Sequence, residues 1–150
     1  MIPPSSIKVE ITESLLMNNF DAAQTLLQSL SNEGISVLLD DFGTGYSSLN
    51  YLHQFPITSI KIDRSFVLQS THAEKAKGLL AGISYMAKKM DLSLVAEGIE
   101  TIEQLKLLRS LDIEYGQGYL FGAPMPKQDA ENLIIKKYHP IFATLQPDDK

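Results

Sequence analysis

"VLLDDFGTGYSSL", Val37 to Leu49, runs from an apolar stretch into two adjacent acids and then into a loop of glycine, threonine, tyrosine and serine. The residues that lead into the acids, "ISVLLD", read as a strand inside a sheet, so Asp40 and Asp41 mark where that strand leaves the core. Neighbouring carboxylates repel, and a chain that needed only solubility would spread such charge elsewhere. The pair implies a positive charge beside it. The plain alternative is a capping or turn pair at a strand end.

The same arrangement recurs along the chain. In "IKVEIT", Ile7, Val9 and Ile11 alternate with Lys8, Glu10 and Thr12, the period of a strand. "FDAAQTLLQSLSNEG" spaces Ala23, Leu26, Leu27 and Leu30 helically and stops at Gly34, a residue suited to a left-handed helix end. "TSIKID" is a further short strand, and "AEKAKGLLAGISYMAKKM" a helix weakened by Gly78 and Gly82. "LSLVAEG" is again strand-like. In "TIEQLKLLRSL", Thr101 and Gln104 fit a capping box, with Ile102, Leu105 and Leu108 as the apolar stripe. "YGQGYLFG" reads as a last strand and "KQDAENLIIKKY" as a last helix. Strands alternating with helices imply parallel pairing and an α/β fold.

With 150 residues, 44% of them hydrophobic and 21% charged, the chain is long enough to bury one core. Its net charge of −5 argues against a broad footprint on a long nucleic acid, which needs a basic face. The absence of cysteine excludes disulfides and thiolate metal sites. No apolar run approaches the roughly 20 residues of a bilayer span, and the expectation is a cytoplasmic protein without membrane contact from this segment.

In parallel α/β folds the binding groups gather at the carboxyl ends of the strands. Glu10, Asp40, Asp41, Lys61, Asp63, Glu97 and Gln117 all fall at or near such ends. The acids offer hard oxygen ligands unmixed with histidine or cysteine, which suits magnesium, manganese or calcium. Adjacent aspartates divide their oxygens between two cations, as in sites that activate water against a phosphoryl group. Lys61, between Ile60 and Ile62, points to the opposite face; it could pair with the acids, hold a water, form a Schiff base if its pKa were depressed, or snorkel to solvent. The glycines around Thr44 suit a lid or a contact loop, or simply an irregular one. His53, His72 and His139 show no ligand spacing. Tyr46, Tyr51 and Tyr119 could stack on a base, although interior or interface packing is the ordinary use of each.

Taken together, "EITES", "DDFGTGYSSL", "IKIDRSFV", "VAEGIET" and "QGYLFGAP", in this order and spacing, resemble the EAL-domain family of bacterial cyclic-di-GMP phosphodiesterases. The resemblance runs from Ile7 to Lys137 and implies a modified TIM barrel that hydrolyses cyclic-di-GMP to linear pGpG with Mg2+ or Mn2+. It implies metal ligation by Glu10, Asp40, Asp41 and Glu97, and a contact from Lys61 to the hydrolytic water. It gives Glu97 a part in organising metal and water, Asp63, Glu100 and Gln117 supporting positions near the substrate, and Glu13 the anchoring of the following loop. That loop, Phe42, Gly43, Thr44, Gly45, Tyr46, Ser47 and Ser48, resembles the segment coupling the site to dimerisation.

The Glu-Ala-Leu signature itself is absent, as is the family's upstream metal-binding asparagine. A complete (β/α)8 barrel takes about 250 residues. The expectation is therefore an α/β fold holding about the last five strands of a TIM-like barrel, with residues 1–138 as a truncated EAL domain and 139–150 as a loosely ordered tail. It would be weak or inactive alone, with an incomplete two-metal site, and would form a homo-oligomer through exposed sheet edges. A non-catalytic cyclic-dinucleotide receptor or dimerisation module is the alternative.

Overall fold

The computed structural model describes residues 2–43, 52–71 and 73–135. After a short 3-10 turn at Pro4–Ser6 come β1 (Lys8–Thr12), α1 (Glu13–Asn18), α2 (Phe20–Asn32) and β2 (Ser36–Phe42). Then follow β3 (Ser59–Ile62), α3 (Arg64–Ser70), α4 (Glu74–Lys89), β4 (Ser93–Ala96), α5 (Ile102–Ser110), β5 (Tyr115–Gly116) and α6 (Lys127–Ile135). The five strands form one sheet in sequence order, every neighbouring pair parallel.

Alternation along the strands sends two sets of side chains to opposite faces. Ile11, Val37, Leu39, Ile60, Ile62, Leu94 and Ala96 pack with Leu27 of α2, Val67 of α3, Leu80 of α4 and Leu105 and Leu108 of α5 in one apolar core. The other face carries Glu10, Leu38, Ser59, Lys61 and Ser93, and there the Ser59 and Ser93 hydroxyls lie 2.8 Å apart. The sheet is curled enough that the Lys8 ammonium on β1 stands 5.5 Å from the ring centroid of Tyr115 on β5. The polar face is thus concave.

Three of the helix-to-strand turns use one device. The backbone turns left-handed at Gly34 (φ 80°), Asp91 (φ 57°) and Asp112 (φ 56°). Just beyond each, Ile35, Leu92 and Ile113 donate their N–H to Leu30, Ala87 and Leu108 at 3.0, 2.9 and 3.1 Å, closing the helix end. Only Gly34 announces this in sequence; aspartate is among the few other residues that tolerate the conformation. The capping box is as expected: Thr101 Oγ1 accepts from Gln104 N at 3.2 Å, and Gln104 Oε1 accepts from Thr101 N at 3.0 Å.

Two helices were not anticipated. α1 follows β1 directly and is too short for a periodic pattern to show. α3 is started by its cap, since Asp63 Oδ1 accepts from Ser65 N at 2.9 Å. The expected last strand shrinks to Tyr115–Gly116. Past it the chain turns, because Ile99 N donates to Gln117 O at 3.1 Å while Leu120 N donates to Ile99 O at 3.0 Å, folding "QGYL" against Ile99. Residues 136–150, which include the expected tail, lie outside the described residues.

That fold-back needs a glycine: a Cβ on Gly118 would stand 2.2 Å from the Ile99 carbonyl oxygen and 2.3 Å from its nitrogen. Gly118→Ala should therefore cost more than about 2 kcal/mol. Gly78 and Gly82 are helical, exposed and have open space at the Cβ position, so Gly78→Ala should instead stabilise by about 0.5–1 kcal/mol. Urea denaturation of the two variants checks both signs. Asp63→Ala should cost about 1 kcal/mol near neutral pH. The Ser65 hydroxyl and the Ser65 and Arg64 backbone hold the Asp63 carboxyl below its ordinary value of 3.8, against the opposing effect of burial. The cap's contribution is then complete above that value and disappears as pH falls through the lower, folded one, where wild type and variant should converge.

Candidate functional site

The acid pair sits on an irregularity in β2. Leu39 pairs with Ile60 and Phe42 with Ile62, so β2 spends three steps where β3 spends two. This bulge falls on Asp40 and Asp41, and Asp41 takes the left-handed φ of 56°. Consecutive residues of a regular strand face opposite ways, whereas the bulge re-aims the second acid. Both carboxylates thereby act on the strand ends, and Asp41 feels the charges of Asp40, Asp63, Glu97 and Lys61. Desolvation, then repulsion from Asp40, Asp63 and Glu97, raises the Asp41 carboxyl above its ordinary range, with Lys61 opposing.

Lys61 stands where the strand ends converge. Its Nζ lies 2.8 Å from Glu97 Oε1, 3.0 Å from Glu10 Oε2 and 3.5 Å from Asp40 Oδ1. The side chain is only 8% exposed, against 50% for Glu10, 21% for Asp40 and 24% for Glu97. Burial alone would favour loss of its proton, but the hydrogen bonds to Glu97 and Glu10 and the attraction of Glu97 and Asp40 outweigh it, so its pKa is raised. A neutral amine for Schiff-base chemistry needs the opposite shift. Lys61 is a fixed ammonium with its donors aimed at carboxylates. It neither snorkels nor titrates near neutrality.

The remaining expected residues fall around this centre. Gln117 Nε2 donates to Glu97 Oε1, so Glu97 is held by Lys61 and Gln117 together. Asp63 caps α3, its carboxylate occupied by the Ser65 amide and hydroxyl. Glu100 accepts from Arg64 Nη2 at 2.7 Å, a partnership that separation in sequence concealed. Glu97, Gln117, Arg64 and Glu100 line one cleft of about 610 Å³ with Gly118, Tyr119 and Met125. Tyr119 is 65% exposed there, so of the interior or interface packing expected of it the interior option is excluded. A larger cavity of about 980 Å³ opens beside α4, β4 and α5, lined by Thr58, Ser93 and Leu108, and none of the expected site residues lines it. Glu13 opens α1 and is half-buried. Phe42 is buried and Gly43 follows it, whereas Thr44, Gly45, Tyr46, Ser47 and Ser48 lie outside the described residues, as do Tyr51, His72 and His139. His53 is exposed.

Among the described residues, no three Asp, Glu or His side chains are gathered closely enough to hold a metal ion as they stand. The donor chemistry nevertheless fits a hard dication. Carboxylate oxygens are the available ligands at the strand ends, and a positive charge already stands at their convergence. Glu10, Asp40, Asp41 and Glu97 are the residues that would hold Mg2+ or Mn2+.

Comparison with known proteins bears on this arrangement. The EAL domain family model matches residues 1–124. Cyclic di-GMP phosphodiesterase NbdA of Pseudomonas aeruginosa is 42% identical over 128 residues, which are 85% of this chain and 16% of that protein. The crystal structure of the EAL domain of Mycobacterium smegmatis DcpA superposes with a TM-score of 0.86 at 34% identity, covering 93% of this chain and 62% of that one. Klebsiella pneumoniae BlrP1, solved as a manganese and cyclic-di-GMP complex, gives 0.77 at 32% identity over 82% of this chain and 31% of that one. This chain thus spans a small part of the length of NbdA and less than two thirds of either solved chain. Among the described residues no helix is long and apolar enough to cross a membrane. The curled five-strand parallel sheet is part of a TIM-like barrel, and the chain belongs to the EAL-domain family.

Proposed function

We propose that the strand-end site takes part in dication-dependent hydrolysis of cyclic-di-GMP to linear pGpG. The observation that carries this reading is the ring of Glu10, Asp40 and Glu97 around the buried Lys61 ammonium, in a chain similar to a cyclic di-GMP phosphodiesterase and to a manganese and cyclic-di-GMP complex. Bound by Glu10, Asp40, Asp41 and Glu97, Mg2+ or Mn2+ would supply an activated water and offset charge on the phosphoryl oxygens. The chain's own groups do the positioning. Lys61, held protonated, donates hydrogen bonds and orients the attacking water; it does not take the water's proton. Gln117 donates to the same Glu97 oxygen that Lys61 holds, and the bulge presents Asp40 and Asp41 together. Arg64 orients Glu100 at the cleft wall.

One observation favours a second reading, a receptor that binds the dinucleotide without turnover. The acids now point at Lys61, and among the described residues no three are grouped for a metal. Homo-oligomerisation through the sheet edges belongs to the same proposal, with β1 and β5 as the edge strands. Incubation of the chain with cyclic-di-GMP and Mn2+, followed by chromatography of the nucleotides, separates the readings. Because the barrel is partial, the expected result is slow hydrolysis to pGpG that chelation abolishes; tight binding with no metal-dependent product would favour the receptor. Asp40→Asn should lower Mn2+ affinity by at least about tenfold, read calorimetrically, whereas His53→Ala should leave it unchanged.

A further inference from the structure

The bulge at Asp40 and Asp41 has to be held from somewhere. A non-glycine residue in the left-handed region costs on the order of 1 kcal/mol and persists only where its surroundings over-determine it. Below the bulge, Leu39 is pinned to Ile60. Above it, Phe42 pairs with Ile62, and the next residue, Gly43, carries a second positive φ of 94°. Gly43 lies directly against an aromatic ring: a Cβ there would fall 2.6 Å from Cζ and 2.8 Å from Cε2 of Phe66. Phe66 belongs to the first turn of α3, its N–H donating to Asp63 O at 3.1 Å, and α3 begins three residues after Lys61. The ring therefore ties the upper end of the bulge to the same β3–α3 segment that supplies the central ammonium.

We infer that Phe66 is a positioning residue: its ring, seated on the bare backbone of Gly43, sets the aim of the Asp40–Asp41 pair and so tunes the pair's affinity for a divalent cation. The inference rests on the metal-binding reading above and adds to it a residue outside the carboxylate set. The ring is half-buried, so its contribution to the core is smaller than that of its neighbour Val67, which is 0% exposed. Stability and site geometry are therefore separable on this one helix.

The test is calorimetric titration of Mn2+ into wild type, Phe66→Leu, Phe66→Tyr and Val67→Ala, with the Tm of each measured in chelator. Leucine withdraws the atoms that touch Gly43, and tyrosine adds an oxygen at Cζ that pushes Gly43 outward. Both Phe66 variants should weaken Mn2+ binding by about tenfold or more. Val67→Ala should lower Tm more than either and change the Mn2+ affinity less than about twofold. Affinity that simply follows Tm across the four proteins, or Phe66 variants that bind Mn2+ as wild type does, would overturn the inference while leaving the metal site intact. Wild-type protein that binds no Mn2+ would overturn the metal-binding reading and this inference with it.

Discussion

The buried ammonium of Lys61 is the constraint on which the strand ends depend. Glu10 comes from β1, Asp40 from β2 and Glu97 from the turn after β4, and without a cation between them their charges would push these segments apart. Desolvating an ammonium is costly, and removing a partner from a buried pair typically costs roughly 3–5 kcal/mol because a charge is left uncompensated. Three carboxylates around one ammonium offset that burial, and the surplus negative charge is what a divalent cation would use. On the proposed reading, structural necessity and binding chemistry coincide in one cluster.

Around this cluster the fold follows from ordinary local rules. Parallel strands with aliphatic residues on the helix side bury the apolar core there, between sheet and helices. The concave face is then free to hold hydroxyls and charges in place of the branched aliphatic layers usual inside such barrels. Left-handed helix ends at Gly34, Asp91 and Asp112 return the chain to the sheet in the same direction each time, so the strands are parallel. The acids consequently arrive at one end of the sheet.

Much of this was legible in the residues. The alternation in "IKVEIT", the apolar "ISVLLD" and the capping box at Thr101 and Gln104 are local signals, and each appears in the structure, although Ile7 lies outside β1 and is exposed. Lys61 between Ile60 and Ile62 had to face away from the core, but its four proposed fates remained open, because which carboxylates surround it depends on strand register. The pairing of Arg64 with Glu100 and the seat of Phe66 on Gly43 bring together residues from separate parts of the chain, and no periodicity reports them. Local too, yet unread, was the β2 bulge: adjacent aspartates are compatible with a regular strand end, a turn or a bulge, and only the two-against-three pairing with β3 distinguishes them. "YGQGYLFG" misled because its aromatic residues suit a strand while Gly118 sends the chain back over Ile99.

The direct test of the Lys61 cluster is an NMR titration of the Lys61 side chain in the folded, metal-free chain, following its Cε and Nζ shifts as pH rises. Its paired charge contributes stability that is complete below the ordinary lysine value of 10.5 and is lost only as pH rises through the higher folded value. The account predicts that Lys61 keeps its proton above 10.5 for as long as the protein stays folded. Loss of the proton at or below that value, with the fold intact, would contradict it.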